Sequence, residues 1–182
     1  MRKPATIAGG HRDRAGSRSL RRFAALFIGC SVGLFALYWI SEALHGFRHV
    51  NTVHASATAA LLRGLGIGAE ARGTSIVLAH GILEIVAECT GIYVLILFAA
   101  GVVAFPADVR TRLRGLAFGL PCIVAVNFVR LVSLGLVVHL RPAWLPWFHE
   151  YLWQVLFVGL VATLFAVWVA RVGGKHERFA AR

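Results

Sequence analysis

Cysteine is scarce in this chain. There are three in 182 residues, with no Cys-x-x-C pair, so the sequence offers neither a disulfide framework nor the usual pair of a membrane thiol oxidoreductase. Acids are scarce too: eight Asp and Glu stand against nineteen Lys and Arg, a formal net charge of +11. Such an excess invites a nucleic-acid partner, yet there is no basic face with interleaved aromatics, and none is expected to bind. Internal repeats and low-complexity segments are missing as well. The eight histidines form no ligand pattern for a metal or haem. His45 and His49 stand four apart with His54 nearby, but Gly46 weakens a shared helix and no carboxylate or cysteine completes a set. No metal or organic cofactor is expected.

What the chain has in abundance is apolar length: 58% of residues are hydrophobic and mean hydropathy is +0.73, well above a soluble domain. Four stretches carry the excess: Phe23–Ser41, Cys89–Phe105, Gly115–Leu140 (broken only by Arg130) and Tyr151–Ala170. A bilayer core of ~30 Å needs about 20 apolar helical residues. In lipid, backbone polar groups must be satisfied within the segment. The expectation is an all-α membrane protein of about four transmembrane helices.

The basic residues sort by position. Seven lie in Met1–Arg22, three (Arg110, Arg112, Arg114) between the second and third stretches, and four (Arg171, Lys175, Arg178, Arg182) after the last. The intervening connections hold only Arg48, Arg63, Arg72 and Arg141. The positive-inside rule then places both termini in the cytoplasm and both large connections outside. This divides the chain into a basic cytoplasmic tail (1–22), one membrane domain (23–172) and a second basic tail (173–182), with the tails touching anionic lipid. Ser41-Glu42-Ala43 resembles a signal-cleavage site, but the preceding apolar core exceeds the roughly 7–15 residues of a signal peptide, and the first helix is read as retained.

The outer connection His45–Glu84 has its own pattern. Asn51–Leu62 is Ala-rich but too short to span, which predicts an interfacial or re-entrant helix ended by Gly64-Leu65-Gly66-Ile67-Gly68. Ser75–Leu78, a turn at Ala79-His80-Gly81, and Ile82–Val86 read as a small extracytoplasmic β-hairpin. It leads straight into Glu88-Cys89-Thr90-Gly91 and the second membrane helix.

Three residues then invite chemistry. Cys89 falls in the expected first turn of a helix, where the macrodipole and free N–H groups favour thiolate, although Glu88 opposes this and calls for a cationic partner. Cys30 and Cys122 read as small packing residues. Arg130 stands in an apolar helix ten residues before Leu140, so about 15 Å below its end. Burial there costs at least ~2.5–3.5 kcal/mol, which a bundle-facing functional role explains better than snorkelling. Asn127 and Ser133 share its face. His149, in Trp147-Phe148-His149-Glu150-Tyr151, opens the last helix among interfacial aromatics; it reads either as one more interfacial polar group or as a proton-transfer group. Glu42 pairs with Arg130 or Arg141, or marks a helix end. Trp153 and Gln154 are lining candidates. A thiol, a fixed cation and a proton-transfer group, from three helices and on one side of the membrane, are the parts needed for acyl transfer.

In its motifs Glu88-Cys89-Thr90-Gly91-Ile92, Asn127-Phe128-Val129-Arg130 and His149, in that order, the sequence resembles the exosortases and archaeosortases. The approach Thr58–Leu62 to Leu65-Gly66-Ile67 is similar as well, and the likeness covers roughly residues 50–160. It departs at Thr90, where Ser or Ala is usual, and in its brevity, which is like that of a compact subtype such as exosortase H. The resemblance implies a membrane-embedded cysteine transpeptidase or protease. Such an enzyme cleaves C-terminal sorting signals of exported, membrane-tailed proteins and passes them to a cell-surface acceptor through a thioester. It implies Cys89 as nucleophile, Arg130 as thiolate or oxyanion stabiliser, His149 as general acid/base, and Asn127, Thr90 and Gly91 as support, in the bacterial inner membrane and facing the periplasm or exterior. The rival reading is a non-catalytic membrane subunit of a transport or secretion complex, which gives no reason for Cys89 and Arg130 on matched sides of the membrane.

Overall fold

The computed structural model describes residues 9–44 and 48–180, with side chains described for 19–44 and 48–172. His45, the first eight residues and most side chains of both basic tails lie outside the described residues. The order is α1 (Gly9–Ala43), α2 (Arg48–Gly64), β1 (Ala69–Arg72), β2 (Ser75–Leu78), β3 (Gly81–Glu84), a 3-10 turn (Ala87–Thr90), α3 (Ile92–Ala104) and α4 (Val109–Leu140). A 3-10 turn (Pro142–Trp144), a short helical turn α5 (Leu145–Trp147) and a π turn (Phe148–Leu152) then lead into α6 (Trp153–Ala180).

Three helical segments are long and apolar enough to cross a membrane, where the sequence predicts about four: Ser19–Ala43, Val109–Leu140 and Pro142–Val172, with mean hydropathies of 2.1, 2.1 and 2.3. The remaining apolar stretch forms the 13-residue α3, only about 20 Å long at 1.5 Å per residue. Two local features shorten it. Gly91 adopts a left-handed conformation (φ 74°) and separates the Cys89 turn from the helix, while Phe105 turns extended (ψ 138°) before Pro106. The last span, by contrast, begins nine residues earlier than the expected Tyr151. Apolar side chains such as Ile28, Val32, Leu37 and Val155 are exposed along the spans, as suits contact with lipid rather than water.

α2 is the short helix expected at Asn51–Leu62, extended at both ends. A Schellman arrangement stops it. Ile67 N–H donates to Leu62 O (3.0 Å) and Gly66 N–H to Arg63 O (2.9 Å), with Gly66 at φ 79°. Arg63 then reaches forward, its Nη1 donating to Ala69 O at 2.8 Å.

The predicted hairpin is present as β2–β3, in register Ile76 with Leu83 and Leu78 with Gly81. A third strand, β1, pairs antiparallel with β2 in the order β1-β2-β3. Its Ala-Glu-Ala-Arg sequence has no apolar run to announce it, and its buried Ala69 lies opposite Leu78.

The sheet lays Ile76, Leu78 and Leu83 against Ala55, Ala59 and Leu62 of α2 and Leu131, Leu134 and Val138 of α4, and Cys89 belongs to the same buried cluster. Gly135 permits this approach, since a Cβ there would stand 2.7 Å from Leu62 Cδ1. A second cluster, Phe98, Val102, Ile123 and Phe157, joins α3, α4 and α6. α1 lies chiefly along α3, through Phe35 and Tyr38 on Tyr93 (ring centroids 5.7 and 5.5 Å). Asp108 caps α4, accepting from Thr111 N–H (2.9 Å) and from the Thr111 hydroxyl (2.6 Å). Those two bonds hold its carboxyl below the usual carboxylate range.

Candidate active site

The site is assembled at the junction of sheet, 3-10 turn and helices. Ile85 N–H donates to Thr74 O at 2.9 Å, fixing the exit of the sheet, and Cys89 N–H donates to Val86 O at 2.9 Å. The Thr90 hydroxyl closes the turn onto Ala87 O at 2.7 Å. Gly91 then reverses the chain. A side chain there would meet Asn127 Cγ and Oδ1 and Phe157 Cζ, all at 3.3 Å, so this position is tight in space as well as left-handed.

The turn holds Cys89 almost buried, at 3% exposure. Its Sγ lies 3.8 Å from His149 Nε2 and 3.9 Å from Glu84 O. From α4, Asn127 Nδ2 donates to Cys89 O at 2.9 Å, and Arg130 Nη1 reaches Glu88 O at 3.4 Å. Asn127 and Arg130 are 1% and 5% exposed. Thus Cys89, Asn127, Arg130 and His149, which residue type and position point to, and Thr90 and Gly91, which only the motif resemblance implies, are brought together. His149 is half-buried in the π turn, a local widening of the helix that lets its imidazole face the sulfur.

The electrostatics differ from the helix-dipole expectation. Cys89 is in a separate 3-10 turn rather than the first turn of α3, and burial pushes its thiol up. A backbone hydrogen bond from Val86 and the charge of Arg130 pull the other way, while Glu88 and Glu84 add to the rise. Desolvation wins, because the sulfur is sealed between sheet and helices whereas the turn has no long run of aligned peptides.

The neighbouring residues divide. Gln154 is exposed, while Trp153 packs on the cluster that contains Cys89. Ser133 spends its hydroxyl on Arg130 O at 2.7 Å. Glu42 makes no ion pair with Arg130 or Arg141 among the described residues, and its Oε2 is buried without a hydrogen bond. His54 stacks on Phe128 (5.2 Å, 8° between planes) and its Nδ1 pairs with Val50 O, so it is used in packing α2 on α4. Among the described residues no group of three His, Cys, Asp or Glu is placed to hold a metal ion. Phe157, which sequence reasoning passed over, lies under Arg130, with Cζ of the guanidinium 5.9 Å from the ring centroid. An apolar cavity of about 520 Å³ is lined by Ser133, Leu136, Val137, Leu140, Arg141, Trp144 and Phe148, and none of the six site residues lines it.

The family model for the transmembrane exosortases (Exosortase_EpsH) matches residues 10–171. No curated protein and no solved structure matches the chain significantly.

Proposed function

The chain belongs to the transmembrane exosortase family, and on that premise we propose that it is a cysteine transpeptidase acting on exported proteins with a C-terminal sorting signal. The observation that carries this reading is the approach of Cys89 Sγ to His149 Nε2, 3.8 Å across sixty residues of sequence, with Arg130 on the neighbouring backbone. An S···N distance of this kind is within the looser geometry of unliganded catalytic pairs.

In this mechanism His149 Nε2 takes the Cys89 proton and the thiolate attacks the carbonyl carbon ahead of the substrate's hydrophobic tail. The developing oxyanion is stabilised by the guanidinium of Arg130, which no carboxylate neutralises among the described residues. The intermediate collapses with loss of the tail's amine, which receives the proton from His149, and leaves an acyl thioester on Cys89. An acceptor amine then attacks, its proton passes to His149, the new amide forms and Cys89 is released. Water in place of the amine makes the same steps hydrolysis. A thiol raised by burial is mostly protonated at neutral pH, so this chemistry depends on the adjacent base rather than on a standing thiolate.

The charge distribution supports both basic tails in the cytoplasm and the site facing away from the cytosol, and the family resemblance implies the bacterial inner membrane for the membrane domain over 23–172. The test is co-expression with a membrane-tailed exported protein from the same genome. Cys89→Ala, Arg130→Ala and His149→Ala are expected to abolish tail removal while still inserting. Normal processing by Cys89→Ala contradicts the assignment.

A further inference from the structure

Arg130 is a buried cation with very little to hold it. Among the described residues it has no carboxylate partner, its Nε is buried without a hydrogen bond, and Nη1 reaches only one backbone oxygen, at 3.4 Å. What does face it is a ring. Phe157, 5% exposed, sits beneath the guanidinium at 5.9 Å. The far edge of that ring lies against Gly91, with Cζ at 3.3 Å from the place a side chain there would begin. Phe157 is thus wedged between the turn that carries Cys89 and the charge of Arg130, and it belongs to the same continuous helical run as His149.

The negative face of an aromatic ring stabilises a desolvated cation without accepting its N–H groups and without cancelling its charge. A carboxylate in the same place would hold the guanidinium more firmly but would neutralise it towards a thiolate or an oxyanion. We propose that Phe157 is a positioning residue for the transpeptidation reaction: its ring cradles the Arg130 guanidinium beside Cys89 while leaving the guanidinium's positive charge uncancelled. The inference rests on the catalytic reading above and deepens it. It also gives the continuous helical run from the π turn into α6 two tasks at once, since a shift of this run moves the imidazole of His149 and the platform of the arginine together.

The experiment separates the ring's electrostatics from its bulk. In full-length protein carrying Cys30→Ala and Cys122→Ala, Phe157 is replaced by leucine and, by genetic encoding, by phenylalanines of increasing ring fluorination. Fluorination drains the quadrupole with little change of shape. Two quantities are read: the rate of tail removal from a co-expressed membrane-tailed substrate, and the pH dependence of Cys89 alkylation by iodoacetamide.

The expected result is a graded fall in rate with fluorination, reaching roughly 2- to 30-fold, the span of cation–π contacts between exposed and desolvated sites. The alkylation midpoint moves upward in the same order, because a loosened Arg130 favours the thiolate less. Fluorinated variants that process and alkylate as wild type reduce Phe157 to packing and overturn the proposal. They decide the matter even if Phe157→Leu accumulates poorly. The Cys89→Ala control distinguishes the two levels: inactive Cys89→Ala with unaffected fluorinated variants overturns this inference alone, whereas active Cys89→Ala removes the catalytic reading and this inference with it.

Discussion

Asn127 on α4 donates its side-chain N–H to the backbone carbonyl of Cys89 at 2.9 Å, and this bond ties the cysteine's turn to the helix that carries Arg130. Both ends of the bond are buried. Arg130 stands three positions after Asn127, so one helix face grips the turn at two successive carbonyls, Cys89 and Glu88. This grip adds to the bonds within the turn, Cys89 N–H to Val86 O and the Thr90 hydroxyl to Ala87 O.

Asn127→Ala is therefore expected to leave Cys89 O buried and unpaired, at a cost of about 1–3 kcal/mol. Processing should fall at least tenfold with membrane insertion retained. Quantitative immunoblotting of inserted protein beside tail removal measures both. Wild-type processing would show that the turn holds its shape unaided.

Gly91→Ala meets two obstacles, a left-handed φ of 74° and contacts at 3.3 Å with Asn127 and Phe157. The backbone strain alone is roughly 1–2 kcal/mol. Thermal unfolding in detergent should show a clear loss for Gly91→Ala. Gly29→Ala, in the interior of α1 with nothing within 4 Å of its new methyl, should be neutral or slightly stabilising. Equal behaviour of the two would contradict the geometry of the turn.

Much of this site is legible in residue types. The arginine in an apolar helix violates a local expectation by itself, whereas Cys89 and His149 stand out only together with it and through the motif resemblance, since either alone also reads as an ordinary residue. α2 and the β2–β3 hairpin are legible too, through composition and turn residues. β1 is not, because Ala69–Arg72 carries two charges and becomes a strand only by pairing with β2. Nor is the shortness of α3, since a glycine next to an apolar run does not reveal that its φ is positive. Phe157 is invisible for a different reason. In a helix that is apolar nearly all round, one more phenylalanine breaks no pattern, and only the structure shows a cation above it.

The raised thiol gives a pH prediction. The proton is held more tightly in the folded protein than in a free thiol, whose pKa is about 8.5. With Cys30 and Cys122 replaced by Ala, Cys89 alkylation should keep accelerating as pH rises past that value. Because the charge of Arg130 lowers the thiol, Arg130→Gln should displace the profile further upward. The same sign applies to stability. The contribution of the buried neutral thiol is complete below the ordinary thiol range and is lost as pH rises through the higher folded value. A profile centred below 8.5 would mean that Arg130 and the turn outweigh burial.

Topology is tested independently of chemistry. A reporter inserted at Ala79-His80, in the β2–β3 turn, should report the extracytoplasmic side, and one fused after Arg182 the cytoplasm. Both reporters on one side would contradict the proposed orientation.

The central claim is that Cys89 carries the substrate as a thioester. With acceptor withheld, the purified full-length protein and a membrane-tailed substrate should accumulate an acyl-enzyme. Peptide mass mapping should then place the substrate's new C-terminus on Cys89, in a bond cleaved by neutral hydroxylamine and missing from Cys89→Ala. Substrate that loses its tail at the same rate with Cys89 unmodified would contradict the account.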